Sequence, residues 1–106
     1  MAKYLISGSY SQAGVQGLLK EGGSSRADAI GKLLADLGGS MEAFYFAFGS
    51  DDVFVIVDLP DEETAAALAL TVAASGAVEI RTTPLLTPEQ IDAATKKTVA
   101  YRPPGA

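Results

Sequence analysis

The spacing of apolar residues divides the first third of the chain into a strand and two helices. Residues 4–10 carry apolar or aromatic side chains at every second position, which is typical of a β-strand. From residue 15 the apolar positions recur every three or four residues, which predicts amphipathic helix as far as residue 37. Gly22-Gly23 interrupts this pattern, and Ser25 begins a capping-box sequence, so we expect a second helix to start there. Gly38-Gly39 ends it.

Two segments rich in aromatic and β-branched residues follow and predict a β-hairpin. They are residues 41–48 and 53–58, on either side of the turn at residues 49–52. Pairing of Phe48 with Val53 places the phenylalanines and valines of the hairpin on one face. The opposite face then carries Ala43, Tyr45, Ala47, Phe54, Ile56 and Asp58. Because neither face is polar along its middle, we expect both faces of the sheet to be covered.

The rest of the chain continues the alternation of helix and strand. An alanine-rich helix is predicted over residues 60–75, a strand over 78–83, and a short capped helix over 87–97. The order of elements predicts an α+β fold, a ferredoxin-like βαββαβ sandwich with helices on one sheet face and an appended C-terminal helix. We expect one domain over residues 1–98 and a tail over residues 99–106.

The amino-acid composition excludes several kinds of catalytic group and metal site. The 106 residues include no Cys and no His, which excludes a thiolate nucleophile, an imidazole base and the usual zinc ligands, and we expect no metal and no cofactor. With 8 Lys and Arg against 13 Asp and Glu, the net charge of −5 disfavours nucleic acid and anionic membranes as partners. The longest uncharged stretch is too short to span a bilayer, and the chain shows no export signal. We therefore expect a cytoplasmic protein.

Several blocks of the sequence resemble the GYD domain family, over roughly residues 3 to 94. The blocks are Lys3-Tyr4-Leu5, Gly17-Leu18-Leu19-Lys20-Glu21-Gly22-Gly23-Ser24, Phe44-Tyr45-Phe46-Ala47-Phe48-Gly49, Leu59-Pro60-Asp61 and Pro84-Leu85-Leu86-Thr87-Pro88-Glu89. The Gly-Tyr-Asp signature of that family reads Gly49-Ser50-Asp51-Asp52 here, so Asp52 takes the place of the signature Asp and Asp51 replaces its Tyr. The resemblance implies a ferredoxin-like domain similar to the dimeric α/β-barrel proteins, whose sheets commonly pack face to face between subunits. It implies no particular reaction.

The hairpin pattern leads to the same expectation of self-association. Helices can cover the Phe and Val face, and a second subunit, in a homodimer or a higher homo-oligomer, can cover the face with Tyr45, Phe54 and Ile56. The alternative is that the helix at residues 87–97, or the tail, folds over that face within one chain.

The candidate ligand-binding residues centre on Arg26. Helix phase carried across the Gly22-Gly23 break places Arg26 on the inward stripe, where a guanidinium needs a carboxylate or an anionic ligand. Lys20 is a second candidate cation at the mouth of such a cleft, and Tyr10 or Tyr45 would lie across it. Asp52 completes the candidate set. In the alternative, the break rotates the second helix and Arg26 reaches solvent.

Three classes of function remain open. The first is an oligomer that binds an anionic small molecule without catalysis. The second is a cofactor-independent isomerase or monooxygenase, for which only Asp52, Asp58 or a Tyr offers a general base, and no catalytic residue is assigned. The third is a structural assembly subunit. The acidic turn with Asp58 is a candidate cation site or simply a polar turn, and residues 22–25 are a candidate phosphate loop or simply a helix break.

Overall fold

One four-stranded antiparallel sheet forms the centre of the molecule, in a computed structural model that describes residues 1–106. The elements are β1 (Ala2–Tyr10), α1 (Gln12–Glu21), α2 (Gly23–Asp36), β2 (Ser40–Phe46), β3 (Val53–Leu59), α3 (Glu62–Ser75), β4 (Val78–Leu85) and α4 (Pro88–Thr95). The strand order is β2-β3-β1-β4, which is the order of a ferredoxin-like sheet. The predicted α+β class and the order of elements are confirmed.

Helices cover one face of this sheet, which we call the covered face. Tyr4 and the β3 residues Val53, Val55, Val57 and Leu59 are buried there. They pack against one buried side chain of α2 and two of α3. These three are Leu34, Ala65 and Leu68. The core is therefore a single layer between the sheet and two helices, as expected from the Phe and Val face of the hairpin.

The hairpin register differs from the predicted one by two residues. Val53 pairs with Phe46 and not with Phe48, because β2 ends at Phe46 and the loop begins at the next residue. A β-bulge interrupts β2 between Met41 and Ala43. Since side chains alternate with a period of two, a shift of two residues leaves the side chains from Ala43 to Phe46 on their predicted faces. The bulge places Met41 opposite Val57 on the covered face.

The first two helices begin earlier than predicted. Ser11 caps α1, so this helix begins three residues before Val15. Gly22, at φ +86°, ends α1 and also serves as the N-cap of α2, so α2 begins at Gly23 and the predicted cap at Ser25 is wrong. The prediction that the apolar positions of α1 form a buried side of the helix is wrong as well. Val15 and Leu19 are exposed, because α1 is fixed at the end of the sheet and not above its centre.

Both later helices have side-chain caps, and the cap predicted for α4 is confirmed. Asp61 caps α3, and the hydroxyl and backbone N–H of Thr64 both donate to its carboxylate, which lowers the pKa of Asp61. Gly76 ends α3 in the left-handed conformation. Thr87 and Gln90 form the predicted capping box of α4. None of the helices has the length and apolar character that crossing a membrane requires.

The chain beyond the sheet extends away from the body of the molecule. Residues 86–106, which we call the C-terminal arm, are all exposed, and α4 packs against no other element to a significant extent. The alternative in which this helix or the tail covers the second sheet face within one chain is therefore wrong. The opposite face carries Leu5, Ala43, Tyr45, Phe54 and Ile56 and is called the open face. Nothing in the chain covers it.

Candidate functional site

A cavity of about 60 Å³ lies between the covered face of the sheet and the helices α2 and α3. It exists because α2 packs mainly over β2, whereas α3 packs over β4 and β3, so the two helices cover different parts of the sheet. Of the 14 residues that line the cavity, 13 are hydrophobic and one, Arg26, is charged. Small-molecule sites in proteins are commonly apolar with a few polar groups that fix orientation, and this cavity has that composition.

Arg26 lies in the first turn and a half of α2, as the fourth residue of that helix. Arg26 lies on the same face of α2 as Ile30 and Leu34, so it is at the wall of the cavity and is half-buried. The ion pairs of the chain join Lys3 to Glu42 and Asp58, and Arg81 to Asp51, so the guanidinium has no carboxylate partner. A half-buried arginine without an anion beside an apolar cavity favours a negatively charged ligand.

The other candidate residues are distributed over three different places. Tyr10 lines the same cavity as Arg26, and its phenol makes no hydrogen bond within the chain. Lys20 is exposed on α1 and does not line the cavity. Tyr45 is on the open face, paired with Phe54, so the expectation that it lies across a cleft from Arg26 is wrong. The sheet separates the two side chains.

Asp52 has a structural contact that the sequence did not reveal. Its carboxylate accepts a hydrogen bond from the backbone N–H of Tyr10 at 3.0 Å. Its own N–H donates to the carbonyl of Gly8 at 2.7 Å, and its carbonyl accepts from Ala47 at 2.8 Å. The backbone pairing of β1 with β3 ends at Gly8 and Val53. Beyond that point the carboxylate of Asp52, in place of a β3 carbonyl, accepts the hydrogen bond from the N–H of Tyr10. This residue ties the hairpin loop to the end of the central strand.

We expect Asp52→Ala to destabilise the fold by about 1–3 kcal/mol, because a partly buried backbone N–H loses its acceptor. Asp52→Asn keeps an acceptor oxygen at the same position and should cost less. Denaturant unfolding of the three proteins measures the difference. A stable Asp52→Ala variant that has lost ligand binding would instead place Asp52 in the binding site.

The acidic turn contains no arrangement for a cation. Asp58 accepts from Lys3 at 3.1 Å, and Asp51 pairs with Arg81, so these two carboxylates are neutralised separately. No group of three or more acidic side chains converges anywhere in residues 1–106. The ammonium of Lys3 also donates to Glu42 at 3.0 Å, and these two hydrogen bonds raise the pKa of Lys3, that to Glu42 contributing most.

A second groove, of about 380 Å³, lies beside the ends of β1 and β4. It is larger than the first and more polar. Its only charged residue is Glu79, so it offers an anion no positive charge. We therefore assign the site to the smaller cavity, where the unpaired guanidinium is found.

Sequence reasoning did not identify the walls of the cavity. Most of them carry the apolar periodicity of a core, and that signal is identical whether the space between two helices is filled or empty. The lining residues from the helices, apart from Arg26, are Ile30, Leu33, Leu34, Leu68 and Val72. Only the separation of α2 from α3 distinguishes these residues from ordinary core.

Comparison with known proteins gives one match. The family model described as GYD domain matches residues 4–95. This confirms the family that the sequence blocks resemble. No curated protein and no solved structure matches the chain.

Proposed function

The chain belongs to the GYD domain family, and on that premise we propose that it is a cytoplasmic homo-oligomer that binds a small anionic molecule. The ligand would occupy the cavity between the covered face, α2 and α3. The observation that carries this proposal is Arg26, a half-buried guanidinium with no carboxylate partner at the wall of an apolar cavity. A charged group in that position is costly unless an anion compensates it.

The surface area of the chain supports self-association. A compact protein of 10.9 kDa exposes about 5,600 Å², whereas this chain exposes 7367 Å². The excess of roughly 1,800 Å² includes the surface of the fully exposed C-terminal arm, and it is more than the approximately 800 Å² that each partner buries in a stable interface of standard size. The radius of gyration, 16.9 Å, likewise exceeds the value of about 13 Å for a compact domain of this length.

A second copy of the chain is the occupant that we assign to the open face. At its centre Tyr45 is 69% exposed and Phe54 is 36% exposed. The charged side chains Lys3 and Arg81, on the same face, already have acidic partners within the chain. A copy related by a two-fold axis would therefore cover the apolar centre without leaving these two cations unpaired. Glu79, on the edge strand β4, is the charged side chain of this face without an ionic partner.

The C-terminal arm offers further surface to the same partner. Four of its apolar side chains are exposed, namely Leu86, Ile91, Val99 and Tyr101. Its last eleven residues contain Lys96, Lys97 and Arg102 and no acidic residue, whereas the chain as a whole carries a net charge of −5. This charge difference favours contact between the arm and the acidic body of another copy.

The ligand proposal is tested with thermal shifts of the intact protein against a panel of organic acids and inorganic phosphate. We expect at least one anion to raise the Tm of the wild type, and Arg26→Met to weaken its binding by about 10- to 150-fold, because a hydrogen bond to a charged group is worth about 1.5–3 kcal/mol. Arg26→Lys keeps the charge but loses the planar fork, so we expect an intermediate effect.

Lys20→Met is the matched control, because it removes the same charge from an exposed position outside the cavity. It should bind the anion as tightly as the wild type does. Equal binding by the wild type and by both Arg26 variants would show that Arg26 does not hold the ligand. A wild type that responds to none of the anions would contradict the proposed function as a whole.

A further inference from the structure

The size of the cavity restricts the ligand to a few atoms. Its volume is about 60 Å³. An apolar cavity of about 150 Å³ holds one benzene molecule, so this space accepts roughly three carbon atoms. A chain of that length would fill it, and the remainder of any larger molecule would extend out of the opening.

The polarity of the walls restricts the ligand further. Arg26 supplies the only charge, and Tyr10 is the only other lining residue with a polar side chain. A phosphate dianion requires several donors, and a dicarboxylate would leave its second charge against hydrophobic walls. A carboxylate matches the planar fork of one guanidinium, and its single charge balances that of Arg26.

Taking these two restrictions together, we propose that the ligand is an aliphatic monocarboxylate of about four or five carbons. Its carboxylate pairs with Arg26 at the opening, and its alkyl chain lies in the cavity between α2, α3 and the sheet. This inference rests on the proposed function and names the chemical class that the site accepts.

The test is calorimetric titration of the wild type with straight-chain carboxylates from acetate to octanoate. Each added methylene should tighten binding about fourfold, as the transfer of one CH₂ from water requires, until pentanoate. Longer chains should gain nothing or bind more weakly. Butyramide, which has the same shape without the charge, should bind at least tenfold more weakly than butyrate.

Two substitutions make the chain-length test specific to this cavity. Val72→Ala removes two methyl groups from a lining residue of α3, so the longest chain that still gains affinity should increase by one or two carbons. Val15→Ala makes the same change on α1, outside the cavity, and should leave the chain-length profile unchanged.

The outcomes separate this inference from the proposed function. Tighter binding of phosphate or glutarate than of butyrate, with the dependence on Arg26 retained, would overturn the ligand class and leave anion binding intact. A flat chain-length profile, or one that Val72→Ala does not alter, would also overturn it. The absence of binding by carboxylates and phosphate alike would overturn both.

Discussion

A Phe54→Lys variant is expected to exist in solution as a single chain of 10.9 kDa, and the wild type is expected to have at least twice that mass. Phe54 lies on β3 between Ser7 of β1 and Tyr45 of β2, in the middle of the open face. In a two-fold assembly the introduced ammonium groups would be buried without partners and close to each other. A buried unpaired charge costs about 3 kcal/mol or more, which weakens association by more than about a hundredfold. Light scattering coupled to size-exclusion chromatography measures the mass.

Two further variants make the oligomer test decisive. Tyr45→Lys changes a side chain that is already 69% exposed, so the single chain should fold normally and still fail to associate. Leu70→Lys introduces the same charge on the outer side of α3, where Leu70 is 72% exposed, and should leave the mass of the wild type unchanged. A wild-type mass of one chain would overturn the oligomer proposal. If both Lys variants of the open face had the mass of the wild type, the interface would have to lie on another surface of the chain.

Gly14→Ala is expected to destabilise the fold by roughly 2–4 kcal/mol, through overpacking and the loss of hydrogen bonds. A Cβ atom at this position of α1 would lie 2.0 Å from the carbonyl oxygen of Ala77. That oxygen accepts hydrogen bonds from the backbone N–H of Ser11 at 2.9 Å and from its hydroxyl at 3.2 Å. The added methyl group must push α1 away from Ala77 and break both bonds. Thermal or denaturant unfolding measures the loss.

Gly17→Ala is the matched control for this prediction, because it makes the same change three residues later in the same helix. A Cβ atom at Gly17 meets nothing within 4 Å. Alanine is the better helix former by about 1 kcal/mol, so this variant should be as stable as the wild type or more stable. Equal effects of the two substitutions would mean that the contact between Gly14 and Ala77 does not hold α1 in place.

The unfolding experiment on Gly14→Ala is relevant to the proposed ligand site because Tyr10 lies close to both. Tyr10 lines the cavity, and it lies immediately before Ser11, which holds α1 against Ala77. Its ring atom Cδ1 would be 3.1 Å from a Cβ atom at Gly14. Displacement of α1 should therefore also disturb one wall of the cavity. Gly14→Ala is for that reason unsuitable as a binding variant, and the ligand experiments use positions away from this contact.

The element order and the two faces of the sheet could be predicted from the sequence alone. Alternation with a period of two determines which face a strand residue takes, and this assignment survived the error of two residues in the hairpin register. Capping residues placed α3 and α4 accurately, since a cap acts on its own helix within one turn. Arg26 does lie at the cavity wall as predicted, but the phase argument from α1 is wrong, because Val15 and Leu19 are exposed. Its position follows from the apolar face of α2 itself, which Arg26 shares with Ile30.

Only the tertiary structure decided how distant elements are placed relative to one another. The cavity depends on the placement of α2 and α3 over different strands. The open face depends on an arm that extends away from it, and Tyr45 lies on the side of the sheet opposite Arg26. Each of these depends on contacts between residues far apart in the chain, which local periodicity does not report. Gly14 and Gly17 illustrate the difference, because both are glycines in one helix and only the position of Ala77 makes the first of them irreplaceable.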